Sequence, residues 1–201
     1  IEDMLWYFGN ARLISRSQAA PFIPWTDPLG NEHRKFSWQD IEKMGFFKLS
    51  SRFVPQLKVS AMFDYANRYQ SAWEPALSWN APEEATYMLD HEKNLTAAGV
   101  INYIINQNTF ADFRGGYFQQ RIPFQPNKKG IETSKYFDEA TGHLWGRNGF
   151  NEIQNGKRFQ AGAYLTRFQD RLLGGDHELK AGAEFESAQE ELSTWKEDNL
   201  M

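Results

Sequence analysis

The chain has 201 residues, a formal net charge of -4 and no cysteine. Disulfides, thiolate metal sites and cysteine nucleophiles are therefore excluded, and no basic excess recommends nucleic acid as a partner. A mean hydropathy of -0.66, with no apolar run near the roughly 18 residues of a spanning helix, excludes a helical membrane protein but not a membrane barrel.

Residues 1–9 show no initiating Met, basic segment or apolar segment of a signal peptide, and the chain stops at 193–201 without a closing element. It is expected to be an excerpt from a longer protein. Strand character is predicted over 4–14, 43–53, 57–69, 94–105, 109–121, 158–168 and 178–187. Long connections over 15–42, 70–93 and 122–157 alternate with short ones at Val54-Pro55-Gln56, at Asn106-Gln107-Asn108 and over 171–176, which contains Gly174-Gly175. Tight turns rich in Asn, Gly and Pro make hairpins. Strict alternation of tight turns with long loops is the rhythm of transmembrane barrels, and it sends all three long connections to one side.

Side chains of a strand point to alternate faces, so each strand can be split into an odd and an even row. Across the centres of all seven predicted strands the odd row carries no charge. The even row carries Arg12, Lys48, Arg52, Lys58, Asp64, Asp112, Arg114, Lys180 and Glu184. Arg121 and Arg167 lie on the odd row just beyond those centres, where such residues can snorkel. A buried sandwich core would also exclude charge from one row. Three features favour lipid. Small residues fill the middle of the odd row, and Phe63, Tyr65, Phe113, Tyr117, Phe159 and Phe185 stand toward strand ends, as interfacial girdles require. The predicted strands have the length of a tilted crossing, and the long connections share a side. The first strand fits least well, because Trp6 and Phe8 fall on the even row. Either that wall is partly apolar or the register there is shifted by one. The expected fold is all-β: an antiparallel meander of about seven long strands, part of the wall of a transmembrane β-barrel, with no domain boundary over 1–201.

Four phrases carry a family resemblance: LWYFGNARL over 5–13, FFKLSSRFVPQLKVSAMFDYANRYQ over 46–70, TFADFRGGYFQQRIPF over 109–124, and RFQAGAYLTRF with GDHELKAGAEFE over 158–168 and 175–186. Together they resemble TonB-dependent outer-membrane receptors, in particular the Oar-like barrel group. The resemblance implies a 22-stranded barrel in the outer membrane of a Gram-negative bacterium, surrounded by lipid and closed by its own plug domain. It also implies import of a nutrient ligand with energy from the TonB complex. Plug and energy-coupling segment are not among these residues, so the chain by itself is expected to be transport-incompetent. The alternatives are a passive porin or a soluble β-sandwich binding module.

No catalytic grouping emerges, so no enzyme, cofactor or metal is expected. His33, His91, His143 and His177 share no metal-ligand spacing and are expected to be solvated or to serve turns. Asp90-His91-Glu92, preceded by Glu83-Glu84, is the densest set of oxygen donors; acidic loop solubility competes with a hard-cation site. Asn94-Leu95-Thr96 matches a glycosylation triplet at a strand entrance, while Gly115-Gly116 and Gly174-Gly175 lack a phosphate-loop context. Lys48, Arg52, Lys58, Asp64, Asp112, Arg114, Lys180 and Glu184 are expected to face a lumen and touch plug or solute, against a reading of mutual ion pairing and hydration. Ligand contact is assigned to loop aromatics, Trp25, Trp38, Trp73, Trp79, Tyr87, Tyr136 and Trp145, as stacking platforms for a flat solute. Packing of the loops against each other, or a place in the upper aromatic girdle, is the competing role.

Overall fold

A computed structural model describes residues 5–73, 81–127, 135–146, 149–172 and 174–196. Its strands are β1 (Leu5–Ala19), β2 (Trp25–Thr26), β3 (Glu32–His33), β4 (Ser37–Val54), β5 (Leu57–Trp73), β6 (Tyr87–Asn106), β7 (Thr109–Pro126), β8 (Tyr136–Phe137), β9 (Leu144–Trp145), β10 (Phe150–Leu172) and β11 (Gly175–Lys196). Seven of them form one antiparallel meander in the order β1-β4-β5-β6-β7-β10-β11, and β2-β3 and β8-β9 are two short ladders. The sheet is open, and among the described residues no α-helix or second sheet covers either face.

The seven predicted strands are all present, and all are longer than expected. The fourth, foreseen over 94–105, spans Tyr87–Asn106; the last, foreseen over 178–187, spans Gly175–Lys196. The predicted start at residue 4 lies outside the described residues. Apolar side chains come with 87–89 and 122–124, but the added stretches over 15–19, 150–157 and 188–196 are mostly polar. The apolar alternation stops there, but the backbone ladder does not need it, and pairs such as Asn155 with Glu191 or Ser17 with Gln39 carry the hydrogen bonding on. Turns at Pro55-Gln56 and Gln107-Asn108 are as tight as expected: Val54 pairs with Leu57 and Asn106 with Thr109. In a meander of this order the connections after β1, β5 and β7 lie together at one end, and the tight turns lie at the other.

Register decides what shares a face, since residues directly opposite in a ladder point the same way. One transverse row reads Tyr7, Leu49, Ala61, Gly99, Gly115, Ala161, Phe185, odd against odd across all seven strands. The odd row of the sequence is thus one continuous face. Trp6 pairs with Ser50 and Phe8 with Lys48, so the first strand is in register and the even face is partly apolar at that edge. Large apolar side chains of the odd face stand in the open: Phe63 is 46% exposed, Phe113 48% and Phe185 60%. Buried apolar residues gather instead at the end with the long connections, at Ala20, Phe22, Ala72, Ala81, Ala85, Met88 and Leu89, with Ala111 near the tight turns the exception among the described residues.

Charge bounds the odd face at two levels. Toward the long connections, Lys43, Asn67, Lys93, Arg121 and Asn155 form one transverse row, with Lys157 one row nearer the tight turns. Toward the tight turns, Arg167 pairs with Leu179. Ten residues separate Lys157 from Arg167 on β10. At about 3.3 Å per residue they span about 33 Å. Tilted by about 40°, that is about 25 Å, the height of the apolar band of an outer-membrane barrel.

Candidate functional site

The three long connections converge on one cap, and turn chemistry builds its two halves. In Asp27-Pro28-Leu29-Gly30, Asp27 Oδ1 accepts the backbone N–H groups of Leu29 (2.9 Å) and Asn31 (2.8 Å), and Oδ2 accepts Asn31 Nδ2 at 2.9 Å. Pro28 presets φ, and Gly30 takes φ of +88°, a conformation that a side chain would strain. The turn closes β2 on β3 and pairs Trp25 with His33. Asp138 repeats the device. It accepts the Ala140 N–H at 2.9 Å and the Thr141 hydroxyl at 2.7 Å, Gly142 has φ of +73°, and Tyr136 pairs with Trp145.

Aromatic stacking joins the halves. The Trp25 ring is stacked on His143 with centroids 4.2 Å apart, meets Trp145 edge-on at 5.8 Å and packs on His33 at 4.5 Å. Tyr136 is stacked on Trp145 at 5.4 Å. His33 links to the middle connection: its Nδ1 lies 2.7 Å from Glu84 Oε1, and its Nε2 lies 3.4 Å from Asp27 Oδ2. That imidazole is 5% exposed and held between two carboxylates. Asn127 ties the cap to the sheet by donating from Nδ2 to the Ser71 carbonyl oxygen at 2.9 Å and to Thr86 Oγ1 at 3.3 Å.

Of the loop aromatics foreseen as ligand contacts, Trp25, Tyr136 and Trp145 are brought together here. Trp38 sits at the start of β4, and Trp73 at the end of β5, packed edge-on against Phe124 at 5.3 Å. Tyr87 opens β6 and pairs with Trp73 and Pro126, so these three belong to the sheet rim. Trp79 lies outside the described residues. The indole N–H groups of Trp25, Trp38 and Trp145 are buried and have no acceptor among the described residues. An unmet buried donor costs about 1–3 kcal/mol, and two such groups lie in this one cluster.

His33 and His143 both close turns, one of the two roles expected of them, but His33 is buried and flanked by acids rather than solvated, and His143 also stacks within the cluster. The signal was present, because each follows an Asp that opens a turn with a downstream Gly. The oxygen donors around Asp90-His91-Glu92 do not converge. Glu84 turns to His33, Glu92 accepts Asn94 Nδ2 at 3.0 Å and Gln120 Nε2 at 3.3 Å, and His91 Nδ1 meets Asn67 Oδ1 at 2.9 Å.

The eight even-row charges share the face opposite the apolar one. Arg52 pairs with Lys58, Lys58 with Asn102, Asn102 with Asp112, and Arg114 with Gly162, which pairs with Glu184. Mutual ion pairing does not occur among the eight. Asn102 donates to Asp112, and Arg114 and Lys180 each stand 5.1 Å from the centre of the Tyr164 ring. The ion pairs of this face lie elsewhere, in Arg68 with Asp40 at 2.9 Å and Arg158 with Glu186 at 2.8 Å.

Compared with protein-family models, with curated proteins and with solved structures, the chain matches none.

Proposed function

We propose that this chain forms part of the wall of a TonB-dependent receptor barrel in a Gram-negative outer membrane. On this reading the odd face meets hydrocarbon and the even face lines a lumen. The cap is external and captures a nutrient ligand, whose passage follows displacement of a plug driven by TonB. The observation that carries the reading is the charge-free band, unbroken over seven strands in register and about as tall as a bilayer core. Exposed apolar residues fill that band, which a soluble sheet of this size does not tolerate. The receptor type rests on the four sequence phrases.

The cap suits a flat or ring-shaped solute, because Trp25, Tyr136 and Trp145 gather aromatic surface in one place, although Trp25 and Tyr136 already stack on His143 and Trp145. No residue here has a role in covalent chemistry.

Single cysteines test the wall. Phe63, Ala97 and Tyr117 lie in one odd row, and Asp64, Thr96 and Phe118 in the even row beside it. A reagent dissolved in the lipid phase should label the first three and spare the second three. Equal labelling of both sets, or a monodisperse monomer obtained without detergent, would replace the barrel by a soluble β-sandwich module. Ligand uptake that continues without the TonB complex would replace the receptor by a passive porin.

A further inference from the structure

The row that closes the apolar band toward the long connections carries an electrostatic debt of its own. Lys93 and Arg121 are direct partners across β6 and β7, and like charges so placed repel. Lys43 stands on the same row two strands away, separated from Lys93 by Asn67, and Lys157 stands one row lower on β10. All four side chains are exposed, and none has a carboxylate within ion-pairing distance among the described residues. On this face, the paired residues of β4, β5, β6, β7 and β10 on the same row and the next one either side include no acid; the row's carboxylate is Glu191 on β11, which pairs with Asn155 and stands two strands from Arg121. The other face at this height is the reverse. There Arg68 is bound by Asp40 and neighboured by Glu42 and Glu92. Arg68 on that face is thus held by a carboxylate, whereas Lys43, Lys93 and Arg121 have none paired beside them on their own face at this height, which leaves them open to an anion from outside the chain. Asn67 is suited to assist: His91 occupies its carbonyl oxygen, which leaves its amide N–H groups to donate.

We infer that Lys43, Lys93 and Arg121, with Asn67 between them, form a belt that holds the anionic phosphates of lipid headgroups at the rim of the apolar band. The inference rests on the barrel reading, which places this row at the membrane interface on the side of the cap. Basic side chains at an anionic lipid surface each strengthen attachment, by about fivefold per charge. A phosphate lodged between Lys93 and Arg121 also removes their repulsion.

The test uses the full-length protein in lipid nanodiscs of phosphatidylcholine, with and without phosphatidylglycerol, and counts retained lipid by native mass spectrometry. The unsubstituted protein should retain phosphatidylglycerol in preference. A variant combining Lys43→Gln, Lys93→Gln and Arg121→Gln should lose that preference by about fivefold per removed charge. A charge-preserving variant, Lys43→Arg with Lys93→Arg and Arg121→Lys, should keep it and so controls for folding. No preference in the unsubstituted protein, or an undiminished one in the Gln variant, overturns the belt. The same discs carry the lipid-phase label at position 63. Labelling there without phosphatidylglycerol preference defeats the belt alone, whereas absence of labelling defeats the barrel and the belt with it.

Discussion

The ring of Tyr164 covers its ladder partner Gly182 so closely that a Cβ added to Gly182 would stand 2.5 Å from Tyr164 Cδ1 and 2.7 Å from the Ala163 carbonyl oxygen. Arg114 and Lys180 both approach that ring at 5.1 Å. Gly182→Ala should therefore displace the ring and weaken both cation contacts. The expected loss is about 1–3 kcal/mol, the usual range for overpacking. The midpoint of chemical unfolding measures it. With Tyr164→Ala already present, the same substitution should cost much less; an equal cost in both backgrounds would assign the clash to the Ala163 carbonyl instead.

Ala97 and Ala98 are neighbours on β6 that face opposite sides of the sheet. If the odd face meets hydrocarbon, Ala97→Arg should cost about 2–4 kcal/mol in a bilayer, and Ala98→Arg well under half of that. Reversible unfolding from lipid vesicles compares the two. Equal costs would count against a lipid-facing odd row.

Acid should open the cap. Burial pushes the Asp27 carboxyl up, but the side-chain and backbone N–H groups of Asn31, the Leu29 N–H and the nearby His33 outweigh it and hold it below its ordinary 3.8. The Thr141 hydroxyl and the Ala140 N–H hold Asp138 below 3.8 as well. A carboxyl depressed in the folded state contributes its full stabilisation above its unfolded value. That contribution is lost as pH falls through the folded value. Near-ultraviolet circular dichroism of the Trp25 and Trp145 cluster should thus hold steady above about pH 4 and decay below it. Asp27→Asn combined with Asp138→Asn should flatten that acid limb.

Trp25 touches His33, His143 and Trp145, so it bridges two connections more than a hundred residues apart in sequence. Trp25→Ala should cost the cap about 2 kcal/mol, from aromatic contacts of about 0.5–1.5 kcal/mol each. Limited proteolysis would then cut within 20–36 and 138–146 at least tenfold faster, while the seven long strands stay protected. Unchanged cleavage would show that the two hairpins are held independently of this ring.

The large-scale order of the sheet was legible because it needs only a period of two and turn residues. Odd and even rows follow from alternation, and Pro55-Gln56 or Gln107-Asn108 fix which strands are neighbours. Strand ends were not legible, since beyond the apolar band a ladder of Asn155, Glu191 or Gln39 looks like loop. The cap was half legible. Trp25 and Trp145 marked two connections that meet in the cap, but the union of Trp25 with His143 depends on a contact between distant hairpins that no local pattern announces. The cation contacts of Tyr164 were hidden for a similar reason: Arg114 and Lys180 come from two different neighbouring strands.

Seven strands in one antiparallel meander have a parity. β1 and β11, the two borders of the sheet, point in the same direction, so joining them edge to edge would make a parallel seam. Copies of this sheet set side by side inherit the same seam. A cylinder that stays antiparallel all the way round therefore takes an odd number of additional strands between Lys196 and Leu5, and that arithmetic holds whatever supplies them.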